Sequence, residues 1–325
     1  VHAFDLALNN LEKREARNDE VLDDPSDGGK PPAIAVLPFK NLSNDEEQEY
    51  FADGITEDII ANLSLWKTFP VISRNSSFTF KNTTEKSDVI SKTLGARYLV
   101  EGSVRKAGNK VRITAQLTSA DDDKQIWSKR WDRSLEDIFE VQDEVSRDVA
   151  ALISPALKDQ EQVKLSTKGK KNFGAWDEYL QGLNIYNTEN FAGSTSGDKI
   201  IEHCKRAIEL DANFCDAYVL YCNVLQGMIY SHEHQDKREE NTKLFHQMAQ
   251  KAVDTDPENP DAMSSLSMSY SIKKDLNKRL ETAEKALELN PSHPRSNFSY
   301  GQALTNFGRN EEALSYVNKA IELDP

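Results

Sequence analysis

A short phrase recurs in the second half of the chain: "RAIELDA", "KAVDTDP", "KALELNP" and "KAIELDP" set an alanine at Ala207, Ala252, Ala286 and Ala320. The last two intervals are both 34 residues. A fixed period of this size constrains the fold more than any composition does, because it demands one small helix pair used over and over. Such a unit cannot bury its apolar face alone, so neighbours must stack into a superhelix with a concave groove.

The recurring small and aromatic positions resemble the tetratricopeptide repeat. In the final unit these are Tyr300 and Gly301 on a first helix, Gly308 at the turn, Ala313, Val317 and Ala320 on a second helix, and Pro325 after it. Asn297 stands where that family has tryptophan. The preceding unit offers Leu266, Ser267, Tyr270, Ala283, Ala286 and Pro291, with serine in place of the glycine. From Ala207 to Ala252 the interval is 45 residues, which predicts an extended loop in "SHEHQDKREEN". An earlier unit pairs "AWDEYLQGLNIY" with "KIIEHCKRAIEL" across "NTENFAGSTSGD", so four helix pairs are expected over 173–325. The resemblance implies close-packing roles for Ala207, Ala252, Ala286, Gly301, Ala313 and Ala320, and a protein or peptide partner in the groove.

Upstream the periodicity changes. "AIAVLPF" reads as a buried strand, "ITEDIIANLSLW" as a helix with Ile55, Ile59, Ile60 and Leu63 on one face, "FPVIS" as a second strand, and "SDVISKTLGA" as a helix closed by Gly95. "RYLVEGSVRKAGNKVRITAQL" predicts a hairpin turning at Ala107 to Asn109, and "QIWSKRW" extends the sheet with Trp127 and Trp131 on one face. Ser134 and Asp137 read as a capping box before a helix whose stripe is Ile138, Val141, Val145, Val149 and Leu152. The fold class is therefore an α/β (or α+β) sheet domain followed by an all-α tetratricopeptide superhelix. Its boundaries are 1–32 for a polar linker with the end of an upstream domain, 33–158 for the sheet domain, 159–172 for a linker and 173–325 for the repeats.

The chain carries 40 basic and 54 acidic side chains among its 325 residues, a net charge of −14. That excess disfavours a broad nucleic-acid surface. No apolar run approaches the roughly 18 residues of a membrane span. Cys204, Cys215 and Cys222 read as reduced, buried residues of a cytoplasmic protein.

"FADGITEDII" is the stretch that most looks like a site. Asp53, Glu57 and Asp58 surround Gly54, but with no second ligand cluster they read as a helix entry: Asp53 as cap, Gly54 for the tight approach, Glu57 and Asp58 in the first turn. His232 and His234 lie in a polar insertion, away from metal-ligand spacing. No catalytic residue, metal site or cofactor is assigned. Arg74, Asn75 and Ser76 in "SRNSSF" are the candidates for contacts to a small molecule, with a hydrogen-bonded turn as the other reading of the same residues.

Taken in order, "IAVLPFKNLSNDEEQEYFADGITEDIIANLS", "VISRNSSFTFK", "LGARYLVEGSVRKAGNKVRITAQL" and "IWSKRWDRSLEDIFEVQDEVSRDVAALI" resemble the TolB amino-terminal-like domain of bacterial signalling proteins. In that family the domain is followed by tetratricopeptide repeats. It is preceded by a class III adenylate or guanylate cyclase domain, or by a winged-helix DNA-binding domain. "VHAFDL" is similar to the last strand of the cyclase domain. The resemblance implies a non-catalytic regulatory and protein-interaction region, excised from a longer protein that carries the cyclase chemistry upstream of Val1. The alternatives are the effector region of a transcriptional regulator, or a small-molecule-binding sheet domain with a repeat adaptor. A homodimer is a further expectation, since cyclases of that class work as dimers.

Overall fold

The structure is a computed structural model describing residues 33–43, 45, 48–65, 69–120, 124–153, 172–188 and 195–324. The "VHAFDL" segment, both linkers and Pro325 lie outside these residues.

A short strand β1 (Ile34–Val36) and a two-residue strand β2 (Lys40–Asn41) run parallel to β3 (Tyr98–Ala107). β3 turns through Gly108 into β4 (Lys110–Ser119), and β5 (Lys124–Ser134) completes the sheet in the order β1-β3-β4-β5. Gly108 has φ +58, a backbone angle that favours glycine and sets the hairpin where the sequence places it. Val111, Ile113, Ala115 and Leu117 of β4 are all buried, while Arg112 between them is exposed.

Helices α1 (Glu49–Ser64) and α4 (Ile138–Ile153) cover one face of the sheet. Ile55, Ile59, Ile60 and Leu63 are buried, as are Ile138, Val141, Val145 and Val149. Leu152 departs from the expected stripe and is exposed. Between them lie α2 (Arg74–Phe78) and α3 (Ser87–Leu94), the latter closed by Gly95 at φ +63.

Three local expectations are corrected. "FPVIS" forms a single bridge, Val71 to Ile34, because Pro70 has no N–H to donate and Ser73 already caps α2. Ser134 bonds the Asp137 carboxylate at 2.8 Å and makes no side-chain bond to the helix backbone; a three-residue 3-10 turn separates it from α4. The helix α1 begins at Glu49, four residues before Asp53, so neither Asp53 nor Gly54 marks its entry, and Glu57 and Asp58 lie past its first turn, where Glu49 is the acidic residue.

Eight helices follow as four antiparallel pairs: α5 (Phe173–Thr188) with α6 (Thr195–Leu210), α7 (Cys215–Tyr230) with α8 (Arg238–Thr255), α9 (Pro260–Ile272) with α10 (Leu276–Leu289), and α11 (Pro294–Thr305) with α12 (Asn310–Leu323). The expected extended loop after α7 is shorter than the sequence implied: a 3-10 segment, His232–Lys237, leads directly into α8, which takes up "REEN". Ala207, Ala252, Ala286, Ala313 and Ala320 are buried between paired helices.

One position unites the four pairs. A Cβ built on Gly301 would lie 3.0 Å from the Ala313 carbonyl oxygen and 2.9 Å from Val317. At the equivalent place Ser267 donates its hydroxyl to the Arg279 carbonyl at 2.9 Å, and the Cys222 thiol faces the Phe245 carbonyl at 3.9 Å. Gly182 meets the side chain of His203 there. Only a small side chain, or none, fits against a facing backbone at such distances. The Asn297 amide, in the family's tryptophan position, donates to the carbonyls of Pro291 and His293 instead.

Candidate functional site

The first helix of the repeats packs directly on the sheet region. Trp176 of α5 is fully buried, with Phe51 of α1 and Phe139 of α4 meeting its ring edge-on at 5.4 Å. Its indole N–H donates to Asp58 at 2.9 Å, and the Tyr50 hydroxyl donates to Asp177 at 2.9 Å. Leu180 lies over Gly54 so closely that an added Cβ would come within 2.4 Å of its methyl groups. Here the glycine serves inter-helix approach inside α1, which replaces the entry role read from the sequence.

Beside this contact, α1, α2 and α5 enclose a cleft of about 210 Å³. Its walls carry Asp53, Glu57, Arg74 and Lys81, and its apolar lining is Phe78, Leu180 and Leu183. Asp53 and Glu57 are one helical turn apart and so share a face of α1. Lys81 pairs with Asp53 at 2.6 Å and with Glu49 at 3.2 Å. Arg74 donates from Nε to Glu57 at 3.0 Å, and its guanidinium sits 3.9 Å over the Phe78 ring. Burial pushes the Glu57 carboxyl up to about 7; Arg74 opposes the rise, while Asp58 and Asp216 reinforce it. Burial likewise raises Asp53, against the pull of Lys81.

The candidates Arg74, Asn75 and Ser76 thus separate. Arg74 faces the cleft, while Asn75 and Ser76 turn to the far end of the repeats. The Asn75 amide and the Ser76 hydroxyl both donate to Asp324 at 3.1 Å, and the Ser73 hydroxyl also donates to that carboxylate. The Ser73 backbone N–H reaches the Leu323 carbonyl at 3.4 Å. Between the two ends, the Asn290 amide donates to the Ser64 carbonyl at 3.4 Å, at the close of α1. The superhelix therefore touches the sheet region through its first helix, through Ala207, Phe214 and Ala217 in the shared core, through a middle loop and through its last described helix. Farther along the stack, Arg295 of α11 ties three first helices together through Asn223, Asp261 and Ser265. Burial works to raise the Asp261 carboxyl, yet His293 and Arg295 hold it well below the usual carboxylate range.

Sequence reasoning missed Lys81, Trp176, Leu180 and Asp324. No local pattern marks them, since their partners lie between 28 and 251 residues away. Among the described residues no group of three or more His, Cys, Asp or Glu is placed to hold a metal, and no helix is long and apolar enough to cross a membrane.

An α/β sheet region bound at several points to a stack of tetratricopeptide repeats is the class of protein this geometry defines, and the tetratricopeptide repeat family profile matches residues 260–293 and 294–325. Over 255 residues the chain is 36% identical to "Putative adenylate cyclase 3" of Rhizobium meliloti (strain 1021), a match covering 78% of this chain and 42% of that relative. The chain thus spans under half the length of the curated relative it matches. Among solved structures it is similar to TTC0263, a tetratricopeptide protein of Thermus thermophilus, at 15% identity and TM-score 0.38, over 58% of this chain and 89% of that one. It is also similar to TolB from Acinetobacter baumannii, at 16% identity and TM-score 0.30, over 39% and 29% of the two chains.

Proposed function

We propose that this chain is a non-catalytic regulatory and protein-interaction region of a bacterial signalling protein, coupled to an adenylate or guanylate cyclase domain elsewhere in a longer polypeptide. The observation that carries this reading is the 36% identity over 255 residues to a relative named as an adenylate cyclase, of which this chain accounts for 42%. The repeats support the interaction role, because stacked helix pairs present an extended surface to a partner polypeptide. The several contacts between repeats and sheet region support the regulatory role: a partner that moves the repeats must strain or release α1 and α2. A cytoplasmic setting is part of the proposal, supported by Cys204, Cys215 and Cys222 being buried and joined in no disulfide.

The test is an activity comparison. Given ATP or GTP with magnesium or manganese, this chain alone is expected to form no cyclic nucleotide. The longer protein that carries it is expected to do so, at a rate altered by removing the repeats. Cyclic nucleotide made by the 325-residue chain itself would overturn the proposal. A longer protein that binds DNA and makes none would replace it with a transcriptional effector.

A further inference from the structure

The ion pairs lining the cleft between α1, α2 and α5 leave part of each group unused. Arg74 meets Glu57 through Nε and a single oxygen, Oε2. Among the described residues its two terminal Nη groups reach no acceptor, and Oε1 of Glu57 reaches no donor. Both groups are held in place: the Arg74 guanidinium carbon sits 3.9 Å over the Phe78 ring centre, and three quarters of the Glu57 side chain is covered by protein. Free hydrogen-bonding capacity of opposite sign therefore stands side by side, above an apolar floor of Leu180, Leu183 and Phe78.

We infer that this cleft binds a free amino acid as a zwitterion, its carboxylate on the Nη groups of Arg74 and its ammonium on Oε1 of Glu57. A planar guanidinium accepts a carboxylate through two parallel bonds, which gives orientation as well as affinity. A simple anion would meet Asp53 and Glu57, and a simple cation would meet Arg74 and Lys81, so a molecule bearing both charges matches the wall, beside which Asn184, Asn187 and Thr188 add neutral polar groups. At about 210 Å³ the cleft is smaller than the roughly 300–1,000 Å³ of ordinary ligand pockets, which suits a small molecule. Pockets with a few convergent polar groups and an apolar lining occur preferentially where domains meet. The raised carboxyl of Glu57 fits the same picture, since a group still half-inclined to hold a proton is short of positive charge. The inference extends the regulatory reading by naming the class of signal; it stands on the geometry of the cleft and is independent of what domain the chain is joined to.

Isothermal titration calorimetry of the intact chain against the common amino acids tests it, with acetate and methylammonium as single-charge controls. One or a few small amino acids are expected to bind and neither control to do so. Glu57→Gln and Arg74→Lys, each checked for wild-type helicity by circular dichroism, are expected to weaken binding about tenfold or more. Affinity is also expected to rise from about pH 6 to 8 as Glu57 gives up its proton. The titratable and charged groups facing Glu57 are Arg74 of α2, Asp58 of its own helix, Asp216 of α7 and Tyr179 of α5, with Asp53 and Lys81 next along the wall. The inference is overturned if no amino acid binds at about 10 mM, well into the weak range of specific affinity. It is equally overturned if acetate binds as well as the amino acid does, or if both variants and the pH change leave binding untouched. None of these outcomes bears on the cyclase assay, so the two readings fail separately.

Discussion

A methyl group added at Gly54 would fall 2.4 Å from both terminal carbons of Leu180, and this sets two effects against each other. Helix propensity favours alanine over glycine by about 1 kcal/mol. Overpacking a filled contact costs roughly 1–3 kcal/mol, so Gly54→Ala is expected to melt at or below the wild-type temperature in a thermal scan. A glycine on an open helix face would respond with the opposite sign. Glu57 supplies the second prediction at this scale. Its carboxyl is raised from the ordinary 4.5 to about 7 in the folded chain, so between those values the folded state holds a proton that the unfolded state has released. Stability from this group is therefore fully present below about pH 4.5 and lost as the pH climbs through 7. Chemical denaturation between pH 5 and 8 is expected to show a steeper decline for wild type than for Glu57→Gln. Burial raises the Asp53 carboxyl too, so its contribution to the pH dependence has the same sign in both proteins.

Among the elements, the repeats were the most legible in the sequence; in α1 the apolar stripe was legible and the roles of its carboxylates were not. A small residue recurring at a fixed interval reports a contact made inside each unit, so Ala286 and Ala320 declare their role from spacing alone. Gly95 and Gly108 were readable for a related reason: helix closure and a tight hairpin are settled by the backbone within a few residues. The carboxylates of α1 answer to distant partners instead. Asp58 bonds an indole 118 residues on, and Asp53 a lysine 28 residues on. An aspartate and glycine ahead of an isoleucine run therefore imitated a helix start, although the helix was already a turn old. Within the helix pairs, Gly301→Ala is expected to cost about 1–3 kcal/mol, since besides the Val317 side chain it meets the Ala313 carbonyl oxygen and the Val317 backbone nitrogen, which cannot swing aside. Ser267→Ala is expected to cost about 1 kcal/mol through the bond lost to Arg279. Denaturant midpoints of the two variants check both the order and the sizes.

On the scale of the whole molecule, the contact of Asp324 with Ser73, Asn75 and Ser76 joins residues nearly the full described length apart. Asp324→Ala removes a charged acceptor worth about 1.5–3 kcal/mol per hydrogen bond before compensation by water. It is expected to speed amide exchange in α2 and the last turn of α12 while leaving β3 and β4 protected, as hydrogen–deuterium exchange read by mass spectrometry would show. A linear stack of repeats frays from its termini, because the end units have a neighbour on one side only. In this chain the first and the last described helices of the stack both rest on α1 and α2, so the described stack behaves as an arch with two footings. Bending anywhere between the two footings then loads both of them at once.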